Sequence, residues 1–188
     1  AGRGVGIRNF VVHAGRQSGT TIQHSIAMFE SLVELRNDLA ALLPETGLSV
    51  EPADTQPAEH PIPFPAAKKS ALNVEALVQV LESVNREPSA GQPASVVANW
   101  GRLLIDGGEP LEGILEVTSS EVPLAGVIMS GAGKSSDGYR DSHNSHLDPD
   151  SGFTAKDALA CAEVLHSSLK SSFIGMKCSR AKGDGEVS

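Results

Sequence analysis

Two kinds of apolar pattern succeed each other along this chain: short, nearly unbroken apolar runs that stop at glycine loops, and longer stretches whose apolar residues recur every three or four positions. The first kind reads as buried strands and the second as amphipathic helices. Val5 to Val12 is apolar enough for a central parallel strand buried on both faces. After a break at "GRQSGTT", Ile22, Ile26, Phe29, Val33, Ala40 and Leu43 follow at mostly helical spacing, with Thr20 or Thr21 as N-cap and Pro44 marking the end. "GLSVEP" reads as a short second strand. Residues 52–66 hold too many prolines for a helix or a central strand and are expected to form a loop or mobile insertion. A second helix is expected from Asn73 to Asn85, with Val74, Leu77, Val78, Leu81 and Val84 on one face, so residues 52–93 together read as an insertion or a long crossover.

The middle of the chain is less regular. "ASVVANW" fits a strand, and the segment after "GGEP" is ambiguous between helix and strand. "VPLAGVIM" is a further buried strand that runs into the glycine loop "SGAGKSSDGY". Residues 140–152 are polar and read as irregular. Thr154 with Asp157 makes a capping box for a helix carrying Ala158, Cys161, Ala162, Leu165 and Leu169, and "SFIGMKC" fits a last strand. Strands alternating with helices imply an α/β fold, a parallel sheet covered on both faces with ligands bound outside the C-terminal strand ends. Residues 1–178 are expected to form one domain, and residues 179–188 a disordered tail.

Charge changes this picture by exclusion. With 15 Lys and Arg against 23 Asp and Glu, the net charge is −8, which argues against a sequence-independent grip on nucleic acid or an anionic membrane and favours basic partners. No apolar run approaches the roughly 20 residues of a membrane span, and "AGRGVGIRNF" has no signal-peptide core, so a cytoplasmic location is expected. The absence of an initiator Met suggests processing or a domain cut from a longer chain. Cys161 and Cys178 form no CxxC pair and are expected to be buried or free thiols.

The candidate chemistry sits in the glycine loops. A strand that stops at small residues and restarts as a helix directs N–H groups and the positive end of the helix dipole outward, which suits an anion. "GRQSGTT" has no Walker A lysine, yet Ser18, Thr20 and Thr21 would supply hydroxyl donors to a terminal phosphate. In "VIMSGAGKSS", Lys134 and Ser135 stand as in the phosphate loop of small kinases, which would make the chain a nucleotide-dependent phosphotransferase. Ile128, where the first motif glycine belongs, and the absence of a helix start after Ser136 count against this. "DSHNSHLDPD" offers Asp141, His143, His146, Asp148 and Asp150, whose spacing suits a solvated loop better than a metal site.

"VVHAGRQSGTTIQHSIAMFESL" resembles the phosphate loop of flavodoxins and of the FMN domains of diflavin reductases. "NWGRLLIDGGEP" is similar to the loop that covers one flavin face in that family, with "LLID" inserted. "GVIMSGAGKSSDGY" is similar to the loop that covers the other, with Lys134 in place of an acidic residue. The resemblance spans residues 5–172 in outline and implies a three-layer sandwich of the flavodoxin type that binds FMN and passes electrons between redox partners. It implies a cofactor site formed by Arg16, Gln17, Ser18, Gly19, Thr20 and Thr21 at the phosphate, by Asn99, Trp100 and Gly101, and by Ser130, Gly131, Ala132, Gly133 and Tyr139. The single Trp and single Tyr would sandwich the isoalloxazine. The phosphotransferase and a non-catalytic α/β interaction domain remain as the other function classes.

Overall fold

A computed structural model describes residues 7–14, 20–53, 72–135, 138–167 and 173–178. Strand β1 (Asn9–His13) leads into helix α1 (Thr21–Leu42), β2 (Gly47–Glu51), α2 (Val74–Arg86), β3 (Ser95–Asn99), α3 (Trp100–Ile105), α4 (Pro110–Ser119) and β4 (Leu124–Met129). A hairpin of β5 (Gly131–Ser135) and β6 (Gly138–Asn144) follows, then α5 (Ala155–Ser167) and β7 (Phe173–Met176). Residues 146–150, as expected, are turns and bends, but residues 140–144 lie in β6 and Ser151 bridges to Gly133. The proline-rich 54–71 and the tail 179–188 lie outside the described residues.

Local chemistry sets the helix ends where the patterning expected them. Thr20 caps α1: its hydroxyl accepts from Gln23 N at 3.2 Å, while Gln23 Oε1 accepts from Thr20 N at 3.0 Å. Asn73 caps α2 through Ala76 N at 2.9 Å, and Thr154 with Asp157 closes the capping box of α5. The ambiguous segment after "GGEP" is helical, opened by Pro110, whose missing N–H costs nothing in a first turn.

All five strands of the main sheet are parallel, in the order β1-β2-β3-β4-β7, so each strand lies beside the next one in sequence. Right-handed crossovers in a constant direction carry every connecting helix to the same face. Accordingly α1 packs on α2, α2 on α4, and α4 on α5, in one outer layer. The α/β class holds, and the sheet is curled into half a barrel. A flavodoxin sheet has the order 2-1-3-4-5, with a reversal that puts helices on both faces and opens a ligand crevice at the switch point. The consecutive order here has no such reversal, and the three-layer sandwich is corrected accordingly.

Strand period separates the two faces. Leu48, Val50, Val96, Ala98, Val127 and Met129 point to the helices and join the main core with Leu77, Leu81, Ile114, Val117 and Phe153. The intervening positions Ser49, Glu51, Ser95 and Asn99 turn to the inner face and are nevertheless buried. Ser49 and Ser95 bond there through their hydroxyls at 2.7 Å. Arg36 of α1 is also buried, donating to Val84 O and Glu87 O at 2.6 Å each, which ties α1 to the end of α2.

Both cysteines are free, Cys161 buried in α5 and Cys178 exposed beyond β7. Burial, with Asp157 adding its negative charge, pushes the Cys161 thiol up to about 11. Alkylation needs the thiolate. Iodoacetamide at pH 8 should therefore modify Cys178 and spare Cys161 in the native protein, with one adduct by mass spectrometry and two after denaturation.

Candidate functional site

The inner face ends, at the C-terminal edge of the sheet, in a row of polar side chains contributed by consecutive strands. His13, Glu51 and Asn99 are the last residues of β1, β2 and β3, and Ser130 follows β4 directly. Parallel register aligns His13 with Glu51, and Asn99 with Ile128, two residues before Ser130. Glu51 is 4% exposed, yet its carboxylate accepts from Asn99 Nδ2 at 2.7 Å and stands 3.7 Å from His13 Nε2. A buried carboxylate needs such partners to stay in place.

A second group hangs over the row from β6. Arg102 of α3, almost fully buried, pairs with Asp141 Oδ2 at 2.9 Å. Asp141 Oδ1 lies 3.2 Å from His143 Nδ1, and Ser130 Oγ lies 2.8 Å from the same nitrogen. Two oxygens facing Nδ1, one of them a carboxylate, favour a proton on that nitrogen and make Nε2 the basic one in the neutral ring. His143 holds a backbone φ of 53°, a left-handed conformation that non-glycine residues rarely adopt and that is concentrated at functional sites.

α3 links the two groups. Asn99 caps it by accepting from Arg102 N at 3.3 Å with the amide oxygen, while its nitrogen binds Glu51. One amide thus fixes the carboxylate of β2 and the helix that carries the arginine. Gly101 lies against the turn after β4, where an added Cβ would meet the Ser130 carbonyl oxygen at 2.5 Å.

The residues singled out for a flavin are arranged differently. Arg16, Gln17, Ser18 and Gly19 lie outside the described residues. Thr20 caps α1, and Thr21 is its first residue. Trp100 is 5% exposed, belongs to the core, and donates its indole N–H to Gly152 O at 3.0 Å, so its ring offers no open face to stack on. Tyr139 lies in β6 opposite Lys134. Gly131, Ala132 and Gly133 are in extended β5, and Lys134 N donates to Asp150 O at 2.9 Å, where a phosphate loop would curl its amides around an anion and run into a helix. Ser130, Asn99 and Gly101 do belong to the polar edge, in roles the flavin motif did not suggest. Glu51, Arg102 and the Asp141–His143 pair were missed as a site. Trp100→Phe should cost about 1–3 kcal/mol by leaving the Gly152 carbonyl without its donor, read as a lower melting temperature, and saturating FMN should leave Trp100 emission of the native protein unchanged.

A parallel sheet of consecutive order, curled into half a barrel and bearing its polar groups along the C-terminal inner edge, defines a (β/α)-barrel type of α/β protein. The chain belongs to the family described as "Domain of unknown function (DUF4862)", whose model matches residues 5–188. Among solved structures it is similar to the 3-keto-D-glucoside 4-epimerase YcjR from E. coli in its apo form, at 12% identity and a TM-score of 0.59, covering 92% of this chain and 57% of that one. It is likewise similar to the IOLI protein with a binding zinc atom, at 14% identity and a TM-score of 0.58, covering 93% of this chain and 55% of that one. The chain thus spans little more than half the length of these structures. No curated protein matches it. The similarity extends to the fold, and that fold overturns the flavodoxin resemblance together with the FMN, flavoprotein chemistry and electron transport that it implied.

The zinc of the IOLI structure invites a test of fit. Among the described residues no three His, Cys, Asp or Glu side chains lie together as metal ligands. At the polar edge Glu51 has, among the described residues, His13 beside it as a further ligand type, and its other oxygen is engaged by Asn99. The described residues by themselves do not make up a protein-held zinc site. No described helix is long and apolar enough to cross a membrane.

Proposed function

We propose that this chain provides the substrate-binding and proton-transferring edge of a barrel enzyme acting on a polyhydroxylated carbonyl compound of the sugar class. The observation that carries the reading is the row of polar groups along the C-terminal inner edge, the exposed His13 beside the buried Glu51, Asn99 and Ser130, overhung by Arg102, Asp141 and His143. Barrel enzymes work at this edge because each strand end delivers one side chain to a common space. Carboxylate, amide and hydroxyl groups match the alternating donors and acceptors of sugar hydroxyls. An epimerisation or isomerisation beside a carbonyl requires a base to take the C–H proton and a group to return it. In an isomerisation, where the proton returns to the adjacent carbon on the same face of the enediolate, His143, oriented by Asp141, both takes and returns it through Nε2, and Arg102 stabilises negative charge on the neighbouring oxygen. The 3-keto-D-glucoside 4-epimerase among the fold neighbours supports the substrate class by analogy of fold alone.

Isotope exchange tests this. Incubation in D2O with a panel of ketoses and 3-keto glycosides should wash deuterium into the carbon beside the carbonyl, and His143→Gln should slow it roughly 10²–10⁴-fold while the circular dichroism spectrum stays native. Exchange no faster than buffer for every panel member, or exchange indifferent to His143→Gln, would remove the reading.

A further inference from the structure

β7, the fifth strand of the sheet, also delivers a polar residue to the C-terminal edge. Lys177 N donates to Met129 O at 3.0 Å, one step beyond the aligned pair Met129 and Met176. In a parallel ladder that bond sets Lys177 beside Ser130. Strand period then fixes the side. Ile174 and Met176 align with Val127 and Met129, which face the helices, so Gly175 and Lys177 turn inward with Ile128 and Ser130. Burial agrees, because Lys177 is half-buried between the exposed Met176 and Cys178. The inner edge therefore reads, strand by strand, His13, Glu51, Asn99, Ser130 and Lys177. A strand added beyond β7 would pair with its backbone and leave this side-chain direction unchanged. Lys177 differs from the other basic groups of the edge. Arg102 is held by Asp141 at 2.9 Å, and His13 stands 3.7 Å from Glu51. Among the described residues the Lys177 ammonium has neither an ion pair nor a hydrogen bond.

We propose that Lys177 is a substrate-binding residue of the polar edge and selects compounds of the sugar class that carry an anionic group, a carboxylate or a phosphate ester. The proposal rests on the reading of this edge as a carbohydrate site. Neighbouring strands lie about 4.8 Å apart, so Lys177 stands one strand spacing from Ser130, whose hydroxyl is 2.8 Å from His143 Nδ1. A compound whose carbonyl end meets His143 and Arg102 has its remaining carbons free to run along the inner edge to β7. Charge makes the selection there. The chain carries a net charge of −8, so its overall field repels anions, and an anionic substrate gains only where a local cation reverses that field. Arg102 shares its charge with Asp141, whereas Lys177 keeps its own. An ammonium on a flexible stem is a compact charge with several donors, and it fits carboxylate and phosphate oxygens alike.

Matched compounds test this: a ketose, its phosphate ester and the corresponding keto acid, each titrated calorimetrically into the 188-residue chain and assayed for deuterium exchange in D2O. The phosphate ester or the keto acid should bind roughly 10–100-fold more tightly than the neutral ketose, the scale of one charge-assisted contact. Lys177→Met should erase that preference, Lys177→Arg should keep most of it, and added salt should weaken the anion more in the native chain than in Lys177→Met. Whichever anion loses more on Lys177→Met is the group the site selects. Equal binding of anionic and neutral members, or a preference that survives Lys177→Met, would overturn the proposal, and His143-dependent exchange in that case would leave the carbohydrate reading standing. A lower melting temperature of Lys177→Met with the preference intact would overturn it too, making Lys177 a structural partner. Lys177-dependent anion binding with no exchange of any member would remove the carbohydrate reading and keep Lys177 as an anion-binding residue. No binding of any member would overturn both.

Discussion

Asp141→Leu should lower the melting temperature by roughly 6–20 °C. The carboxylate of Asp141 lies 2.9 Å from Arg102 Nη1, and the two side chains are 18% and 6% exposed. Removing one partner of a buried pair costs about 3–5 kcal/mol, because the remaining charge keeps its desolvation penalty without its counter-ion. For a chain of this length each kcal/mol corresponds to roughly 2–4 °C. Asp141→Asn should fall between, since an amide oxygen still accepts from the guanidinium. Arg102→Met combined with Asp141→Leu should recover part of the loss, because neither charge is then buried. A single variant that melts within 2 °C of the native protein in differential scanning calorimetry would mean that the pair does not hold the hairpin to α3.

Gly101→Ala should be nearly as damaging, for a steric reason. The added Cβ would stand 2.5 Å from the Ser130 carbonyl oxygen and 3.3 Å from its carbon, and both are backbone atoms that cannot rotate aside. Either α3 or the turn after β4 must shift, at a cost of about 1–3 kcal/mol or more. The shift also carries Ser130 away from His143 Nδ1, now 2.8 Å distant. Proposed activity should therefore fall more steeply than stability, and the histidine ring signals should change. Native melting together with unchanged signals would contradict the close packing of α3 on this turn.

These two residues illustrate what the sequence made legible. "NWGR" stood out as a functional loop, and Asn99 and Gly101 do lie at the polar edge. The flavin motif interpreted them through the aromatic ring, whereas Trp100 is a core anchor and Arg102 reaches the site. Helix starts at Thr20, Asn73 and Thr154 were readable because capping is local and acts within three residues, whereas the start at Pro110 was ambiguous between helix and strand. Strand order was not readable, because the same alternation of strands and helices serves a doubly wound sheet and a barrel arc. The signal that distinguishes them was present in "LSVE" and "SVVAN", where Ser49, Glu51, Ser95 and Asn99 alternate with apolar residues. A sheet covered by helices on both faces would carry apolar residues at those positions. His143 and Asp141 were visible as candidates in a polar loop, but their partners Ser130 and Arg102 come from other elements, and only the fold brings the four together.

The polar edge is tested most directly by histidine-selective NMR of the 188-residue chain, titrated with the ketose panel. The six histidines separate the outcomes: His13 and His143 lie at the proposed site, while His24 is buried in α1 and His166 lies near the end of α5. Saturable shifts confined to the rings of His13 and His143, abolished by Glu51→Gln, are expected. Shifts of His24 or His166 with His13 and His143 unmoved, or no shift with any sugar, would contradict a carbohydrate site at the C-terminal edge of the sheet.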